Sequence, residues 1–421
     1  MEFKPEEMPQ NILEIIRNYL TVKDTEKKLF GEVFTPVELI CEMLDKLPKE
    51  VWSNPDLKWL DPANGIGNFP LVAYYRLMDG LKDVVKDREE RSKHIIENML
   101  YMVELNPINC KACKKIFKMI NGKANPNIVT DDFLEWCKTA DKYDVIMGNP
   151  PYQHKKPGNK KSQATWPNFV ETSIKFFLKE NGYLVFVHPS GWRNINGNFK
   201  KVFNLIQERA LQHLSMRTFD DGKKTFGGVG TNFDYYCLKN ILTVKNKTLI
   251  NDIDRNKIVL DLNSYDFIPS GKYNIFEKLI KGDEKVSILY ERSMYGTDKS
   301  NMSELENEVF KFKIVYTITQ GKGVKFWYSN EKKDMFVPKV IWTNGNGTYP
   351  IIDKKGEYGL TQFSYGIKDD VKNLEFIKNA MNDPEFIDLM KYVAYTQNIY
   401  NYKIIGAFKK DFWKEFEYEL N

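Results

Sequence analysis

Asn149, Pro150, Pro151 and Tyr152 carry the most specific chemistry in the chain, directly after the apolar stretch 143–147. The side-chain oxygen of Asn149 and the backbone carbonyl of Pro150 are two acceptors on a stiffened turn, and Tyr152 adds a planar ring. Such a set suits an exocyclic amine on an aromatic ring. The lone pair of that amine is delocalised into the ring, so it is a poor nucleophile. Acceptors bonded to its two hydrogens favour a tetrahedral nitrogen with its lone pair aimed at an electrophile. Attack needs no general base, because the proton can leave after transfer. Rate then comes from alignment and from acceptors facing the charge that develops on nitrogen. The bland alternative is a rigid Pro-Pro turn that Asn and Tyr merely flank.

A second constellation lies upstream. Asp61, Pro62, Ala63, Asn64, Gly65, Ile66 and Gly67 follow the short apolar stretch 57–60. Gly65 and Gly67 let the backbone turn tightly and approach a ligand. Pro70 stands where the dinucleotide fingerprint has its third Gly, and the chain has no G-x-x-x-x-G-K-[ST] run. An acid just ahead of the glycines suits an ammonium or sulfonium centre better than phosphates. Glu104 closes a second apolar stretch, placed to accept ribose hydroxyls. Asp132 and Phe133 follow a third, offering an acceptor for an adenine amino group and an apolar face. Each acid alone is more often a helix cap or loop residue; three at successive strand ends are better read as one site.

The elements that must position these residues alternate. A short amphipathic helix is predicted at 10–20, then a helix at 37–46 with Thr35 as its N-cap and Pro36 at its first position. Strands at 57–60, 99–103, 128–129, 143–147 and 183–187 are separated by helices from about 69, at 107–120 and at 167–180. A helix at 198–210 and strands near 211–217 and 231–239 complete the series. This is an α/β pattern: a mostly parallel sheet with helices on both faces and ligands beyond the carboxyl ends of the strands. Past residue 240 the rhythm is lost among strand-like runs (312–319, 337–342), Gly- and Asn-rich turns and helical stretches at 371–393 and 409–420. Two domains are expected, 1–240 and 241–421.

Composition sets outer bounds. The 421 residues are 42% hydrophobic and 28% charged with a formal charge of +5, which fits a globular chain and permits a polyanionic partner without demanding one. Lys155, Lys156, Lys160 and Lys161 border the proposed pocket and are candidates for phosphate contact. Arg217, Lys223 and Lys224 form a second strip. Lys322, in the Gly-rich turn 320–323, and the turn 344–348 offer donors able to reach a nucleic acid. Five Cys without regular spacing argue for a reducing cytoplasm rather than a disulfide scaffold. Cys110 and Cys113 share one face of the helix at 107–120 with no second pair at zinc spacing, so buried thiols are expected and no metal. No signal peptide and no bilayer-spanning apolar run is read, and an intracellular chain is expected.

On these residues the chain resembles the N6-adenine-specific DNA methyltransferases of restriction–modification systems. Phe34-Thr35-Pro36, the run 61–69, Glu104, Asp132-Phe133 and residues 149–152 carry the resemblance over about 30–240, in an order resembling the gamma arrangement. It implies a Rossmann-like S-adenosylmethionine-dependent methyltransferase domain followed by an α+β target-recognition domain. Cofactor contacts are expected from Phe34, Thr35, Asp61, Pro62, Ala63, Asn64, Gly65, Gly67, Glu104, Asp132, Phe133 and Asn149. The resemblance places the ribose on Glu104 and the cofactor adenine between Asp132 and Phe133. The target base would be flipped from double-stranded DNA onto Tyr152. A later-strand aromatic would also pack on it, Tyr236 being favoured over Phe233. A separate restriction endonuclease is compatible with the reading, as is a monomer or weak dimer. The rival readings are methylation of RNA adenine or protein glutamine by the same motif. The large second domain counts against the glutamine enzymes. A non-catalytic DNA-binding subunit is expected to have lost Asn149 or Tyr152, and both are present.

Overall fold

The computed structural model describes residues 34–136, 141–154, 163–194, 199–228, 230–245, 247–290, 300–319, 321–343, 349–395 and 401–416. They divide between two compact units, residues 1–192 with 198–265, and residues 193–197 with 266–421. The expected helix at 10–20, Lys155, Lys156, Lys160, Lys161 and the turn 344–348 lie outside the described residues.

The first unit is built on a nine-stranded sheet. Its strands are β1 (Trp59–Asp61), β2 (Leu100–Glu104), β3 (Asn127–Thr130), β4 (Tyr143–Gly148), β7 (Leu178–Pro189), β8 (Arg209–Arg217), β9 (Phe233–Leu242), β10 (Lys247–Asn251) and β11 (Lys257–Asp261). A separate two-stranded ribbon, β5 (Gln153–His154) and β6 (Gln163–Ala164), interrupts the series. Across the sheet the order is β11-β10-β8-β9-β7-β4-β1-β2-β3, with β9 and β11 antiparallel to their neighbours and every other pairing parallel. The central strands are short apolar runs buried on both faces, as at Trp59, Leu60, Val145 and Ile146; a parallel sheet covered on both sides demands that. The chain works outward from β1 to β3, then returns to the other side of β1 as β4. A crevice therefore opens beyond the carboxyl ends of β1 and β4.

The helices are α1 (Val37–Leu44), α2 (Asn68–Gly80), α3 (Arg88–His94), α4 (Pro107–Ile120), α5 (Phe133–Trp136), α6 (Trp166–Thr172), α7 (Lys200–Gln207) and α8 (Phe219–Thr225). α4 spans the predicted residues because Pro107 opens it and the Asn106 side chain accepts the Ile108 N–H. Its Cys110 and Cys113 are buried free thiols. The helix predicted at 167–180 is shorter: α6 ends in a π-turn over Ser173–Phe177, and β7 starts at Leu178. Two further expectations are corrected. Pro36, not Thr35, is the N-cap of α1, and no side chain caps it. The first unit runs to Tyr265 rather than 240, because β10 pairs with β8 and β11 with β10, extending the sheet past the residue where helix–strand alternation stops.

The second unit holds two four-stranded sheets. β12 (Ser287–Tyr290), β19 (Ser364–Lys368), β16 (Lys339–Thr343) and β17 (Ile351–Asp353) are antiparallel in that order. β13 (Met302–Ser303), β15 (Gly323–Ser329), β14 (Phe312–Thr319) and β18 (Gly359–Leu360) form the other, with β14 and β18 parallel. Helices α9 (Tyr273–Ile280), α10 (Leu374–Asn382), α11 (Pro384–Lys391) and α12 (Tyr402–Ile405) accompany them. Asp383 and Pro384 break the predicted 371–393 helix into α10 and α11, Asp383 capping the second. Lys339 and Asp353 form a fully buried ion pair at 2.7 Å. Lys339 Nζ also donates to the carbonyls of Val337 and Tyr358, and Asp353 accepts the Glu357 and Tyr358 amides. That satisfaction is what makes a buried pair tolerable. No helix among the described residues is long and apolar enough to cross a membrane.

Candidate active site

The crevice holds a cavity of about 570 Å³ lined by residues from the ends of β1, β2, β3 and β4 and by one face of α6. Four successive strand ends therefore converge, and each brings a residue singled out in the sequence.

β1 ends at Asp61, which is 1% exposed and sits behind the cavity wall rather than lining it. Its Oδ1 accepts the Ala63 N–H at 3.1 Å. Burial pushes its carboxyl well above the usual carboxylate range; the Ala63 amide opposes that shift, and the negative charge of Glu104 adds to it. The turn that follows lays Pro62, Ala63 and Gly65 along the cavity. Gly67 sits at φ +97°, and a Cβ there would lie 2.5 Å from Cys113 Sγ, so only glycine lets α2 start this close to α4. Asn64 and Gly67 build the turn rather than line the cavity. The Asn64 amide donates to the Gly65 carbonyl, and the Gly67 N–H to the Asn64 carbonyl.

β2 delivers Glu104. Its two oxygens accept the N–H groups of Gly65 at 2.8 Å and Asn106 at 2.7 Å, which fixes the carboxylate at the cavity wall. After β3, Asp132 lines the cavity and also caps α5, its Oδ1 accepting the Leu134 N–H. Phe133 is 2% exposed and packs on Phe169, centroids 5.3 Å apart, and on Phe177 at 4.8 Å. The local cap and the site residue are here the same residue, so the two readings of Asp132 do not compete.

β4 ends at Gly148, where a Cβ would stand 2.9 Å from Asp61 Oδ1. That close approach brings Asn149 beside the β1 acid. Asn149 Nδ2 donates to Thr35 Oγ1 at 3.1 Å, which fixes the orientation of the amide. Thr35 itself is buried and does not line the cavity; its hydroxyl accepts from Asn149 and its carbonyl from Asn68. Phe34 lines the cavity above Gly65. Pro150, Pro151 and Tyr152 complete this wall. The Tyr152 ring is partly exposed while its hydroxyl is enclosed, and burial keeps the phenol protonated by raising its pKa far beyond neutrality. Phe226, just past α8, meets the Tyr152 ring edge-on at 6.3 Å.

Sequence reasoning missed the opposite wall. Leu105, Thr165, Asn168, Phe169, Glu171 and Thr172 also line the cavity, mostly from α6. No local motif marks them, because a helix face becomes a wall only once the sheet places it. The later-strand aromatics are corrected: Phe233 and Tyr236 are 1% and 0% exposed, and neither lines the cavity. Phe233 packs on Phe226, and the Tyr236 hydroxyl meets His188 Nε2 at 3.1 Å. Arg217 is likewise committed, its guanidinium paired with Glu42 and stacked on Tyr235. Lys223 and Lys224 are exposed in the last turn of α8, two to three residues before Phe226. Lys322 is exposed in the β14–β15 turn of the second unit.

Five acids line the cavity (Glu104, Asp131, Asp132, Glu135 and Glu171), and no Lys, Arg or His lines it among the described residues. The residues fit a cationic nucleoside such as S-adenosylmethionine and disfavour a phosphorylated one. Sheet order and site together define a Rossmann-like methyltransferase of the S-adenosylmethionine-dependent class. The family described as Eco57I restriction-modification methylase matches residues 16–226, half of the chain. The chain belongs to that family.

Relatives agree with the assignment. An uncharacterized adenine-specific methylase of Mycoplasma pneumoniae is 25% identical, the match covering 66% of this chain and 82% of the relative. The type II methyltransferase M.VspI of a Vibrio species is 28% identical over 51% of this chain and 49% of its own length. Among solved structures, the DNA-bound ATP-dependent Type ISP restriction-modification enzyme LlaBIII shares the fold with a TM-score of 0.53 at 13% identity, covering 85% of this chain and 36% of that one. The chain thus spans most of the first relative, about half of the second and about a third of the solved enzyme.

Proposed function

We propose that the chain transfers the methyl group of S-adenosylmethionine to the exocyclic N6 of an adenine flipped out of DNA. The observation that carries the reading is the placement of Asn149, at the strand-order reversal, oriented by Thr35 and facing a cavity lined with acids. When bound, S-adenosylmethionine supplies an electrophilic methyl on a sulfonium centre. Asp61 provides negative charge near that centre, Glu104 accepts the ribose hydroxyls, and Asp132 accepts the cofactor's adenine amino group beside Leu105 and Phe133. With Nδ2 held by Thr35, Asn149 offers Oδ1 to one N–H of the target amine and the Pro150 carbonyl takes the other. These acceptors strengthen as the nitrogen becomes cationic, so they favour the transition state over the bound substrate.

The Tyr152 ring stacks on the extruded base and offsets part of the unpairing cost. Burial holds its phenol in the protonated form. The lysines of residues 155–161, with Lys223 and Lys224, contact phosphate, and the second unit, with Lys322, reads the target sequence. The test is transfer of a tritiated methyl group to duplex DNA, single-stranded DNA and RNA, followed by nucleoside analysis. Label in N6-methyladenine from DNA is the expected result; label confined to RNA or to protein would refute the reading.

A further inference from the structure

We propose that the β14–β15 ribbon of the second unit enters the major groove of duplex DNA and reads base edges through Thr317, Thr319, Lys322 and Lys325; the inference rests on the reading of the chain as a DNA methyltransferase. β14 and β15 pair with each other from Phe312 and Ser329 out to Thr319 and Gly323. β18 meets β14 only at Ile314 and Val315, and β13 meets β15 only at Tyr328 and Ser329. Among the described residues, then, no third strand pairs with 316–325, and the ribbon runs on beyond its own sheet. Its far end is open: a Cβ on Gly321 or Gly323 would meet nothing within 4 Å. The inner face carries Ile318 and its cross-strand partner Val324, with Ile318 buried in one apolar cluster with Val315, Ile341 and Leu360. The Ile318 N–H donates to Thr343 Oγ1 at 3.2 Å, and the Thr343 hydroxyl donates to the Ile318 carbonyl at 3.4 Å. This latch to the end of β16 orders the ribbon before any partner arrives, which lowers the entropic cost of binding.

The outer face carries the polar groups. Thr317 stands opposite Lys325, and Thr319 follows two residues on, so all three project the same way. Lys325 Nζ lies 5.7 Å from the Tyr316 ring centroid and 5.8 Å from that of Trp327. Those two rings stack at 4.4 Å and steady the cation on that face. Lys325 also pairs with Glu304 at 3.6 Å, an exposed contact that exchanges readily for another anion. Among the described residues, the hydroxyls of Thr317 and Thr319 and the ammonium of Lys322 have no hydrogen-bond or ion-pair partner. Between Val309 and Asn330 the sequence has four lysines and no acid. Two strands about 4.8 Å apart fit, with their side chains, a B-form major groove roughly 12 Å wide. The N7, O6 and O4 acceptors displayed there suit hydroxyl and ammonium donors. The major groove of duplex RNA is too narrow and deep for side chains to read, so the ribbon fits DNA.

Sequencing N6-methyladenine in genomic DNA treated with wild-type protein defines the target. Failure to methylate any DNA overturns the functional reading and this inference with it. The fourfold variant Thr317→Ala, Thr319→Ala, Lys322→Ala, Lys325→Ala is then compared on duplexes that differ from the target by one base pair. It is expected to keep its affinity for S-adenosylmethionine and its melting temperature, while discrimination against at least one mismatched site falls roughly tenfold or more. Thr319→Ala and Lys322→Ala, each at an exposed position, give the same readout singly if the fourfold variant does not fold. Discrimination preserved at every position in folded variants overturns the ribbon and leaves the methyltransferase reading standing. Replacing target purines one at a time by 7-deazapurines removes a single major-groove acceptor. At one or more positions outside the methylated adenine this is expected to weaken wild-type binding several-fold and to leave the variant indifferent. No sensitive position, or equal sensitivity in both proteins, overturns the proposal.

Discussion

Asn149 and Thr35 work as one unit, and this pairing could not be read from the sequence. The run 149–152 announced its chemistry through residue type alone, whereas Thr35 read as a helix cap because a Thr before Pro ordinarily is one. Only the fold brings positions 114 residues apart within 3.1 Å. Asn149→Ala is expected to lower kcat by roughly a hundredfold or more, the scale of a lost transition-state acceptor, with cofactor affinity nearly unchanged in calorimetry. Thr35→Val leaves Asn149 in place but removes its orienting partner. It should cost about tenfold in kcat with little change in KM, and Thr35→Ser should recover most of the loss. Asp61 bears on pH. Its carboxyl is pushed up by burial, and a sulfonium favours its charged form. Affinity for S-adenosylmethionine should therefore rise relative to S-adenosylhomocysteine as pH increases through the raised pKa of Asp61. Asp61→Asn should abolish that divergence in titrations at several pH values. The same substitution should raise the stability of the ligand-free protein at neutral pH, since a buried acid with a raised pKa opposes folding once ionised.

At the scale of elements, α6 is the part of the site least legible beforehand. Its position depends on Trp166, which stacks on the buried His188 of β7 with centroids 4.1 Å apart, and on the Thr165 N–H, which donates to the Tyr152 carbonyl at 3.1 Å. Apolar content alone predicted a helix but not which face would meet the catalytic turn. Trp166→Ala should loosen both the wall and Tyr152. The expected outcome is a loss of a few kcal/mol in denaturant unfolding and a raised KM for DNA beyond that loss of fold. The basic residues divide by element too. Arg217 looked like a phosphate ligand but is held by Glu42, whose carboxyl also accepts the Tyr235 hydroxyl at 2.5 Å. Neutralising Lys155, Lys156, Lys160 and Lys161 together should flatten the dependence of DNA affinity on salt. Arg217→Ala should leave that slope unchanged and lower stability instead.

For the molecule as a whole, alternating strands and helices made the central sheet legible through β9, because each parallel crossover needs a helix of predictable length. β10 and β11 escaped because a short parallel strand followed by a hairpin breaks that rhythm while extending the same sheet. The intact chain carries an acid liability. Burial lowers His188 to about 3 and His213 to about 4. Both stay neutral in the fold while the unfolded chain protonates near pH 6.5, so stability is complete above that value and is lost as pH falls toward 4. Each should cost about 2 kcal/mol between pH 7 and pH 5 in urea unfolding, and His213→Gln should remove its share. The acidic lining of the cavity has a wider consequence. Cells hold ATP and related adenosine phosphates in great excess over any adenosine derivative with a positive charge at its 5′ end. Under the proposed function, a pocket walled by Glu104, Asp131, Asp132 and Glu135 would repel the former while holding the latter, so these carboxylates would protect the site from competition by the commonest purines around it.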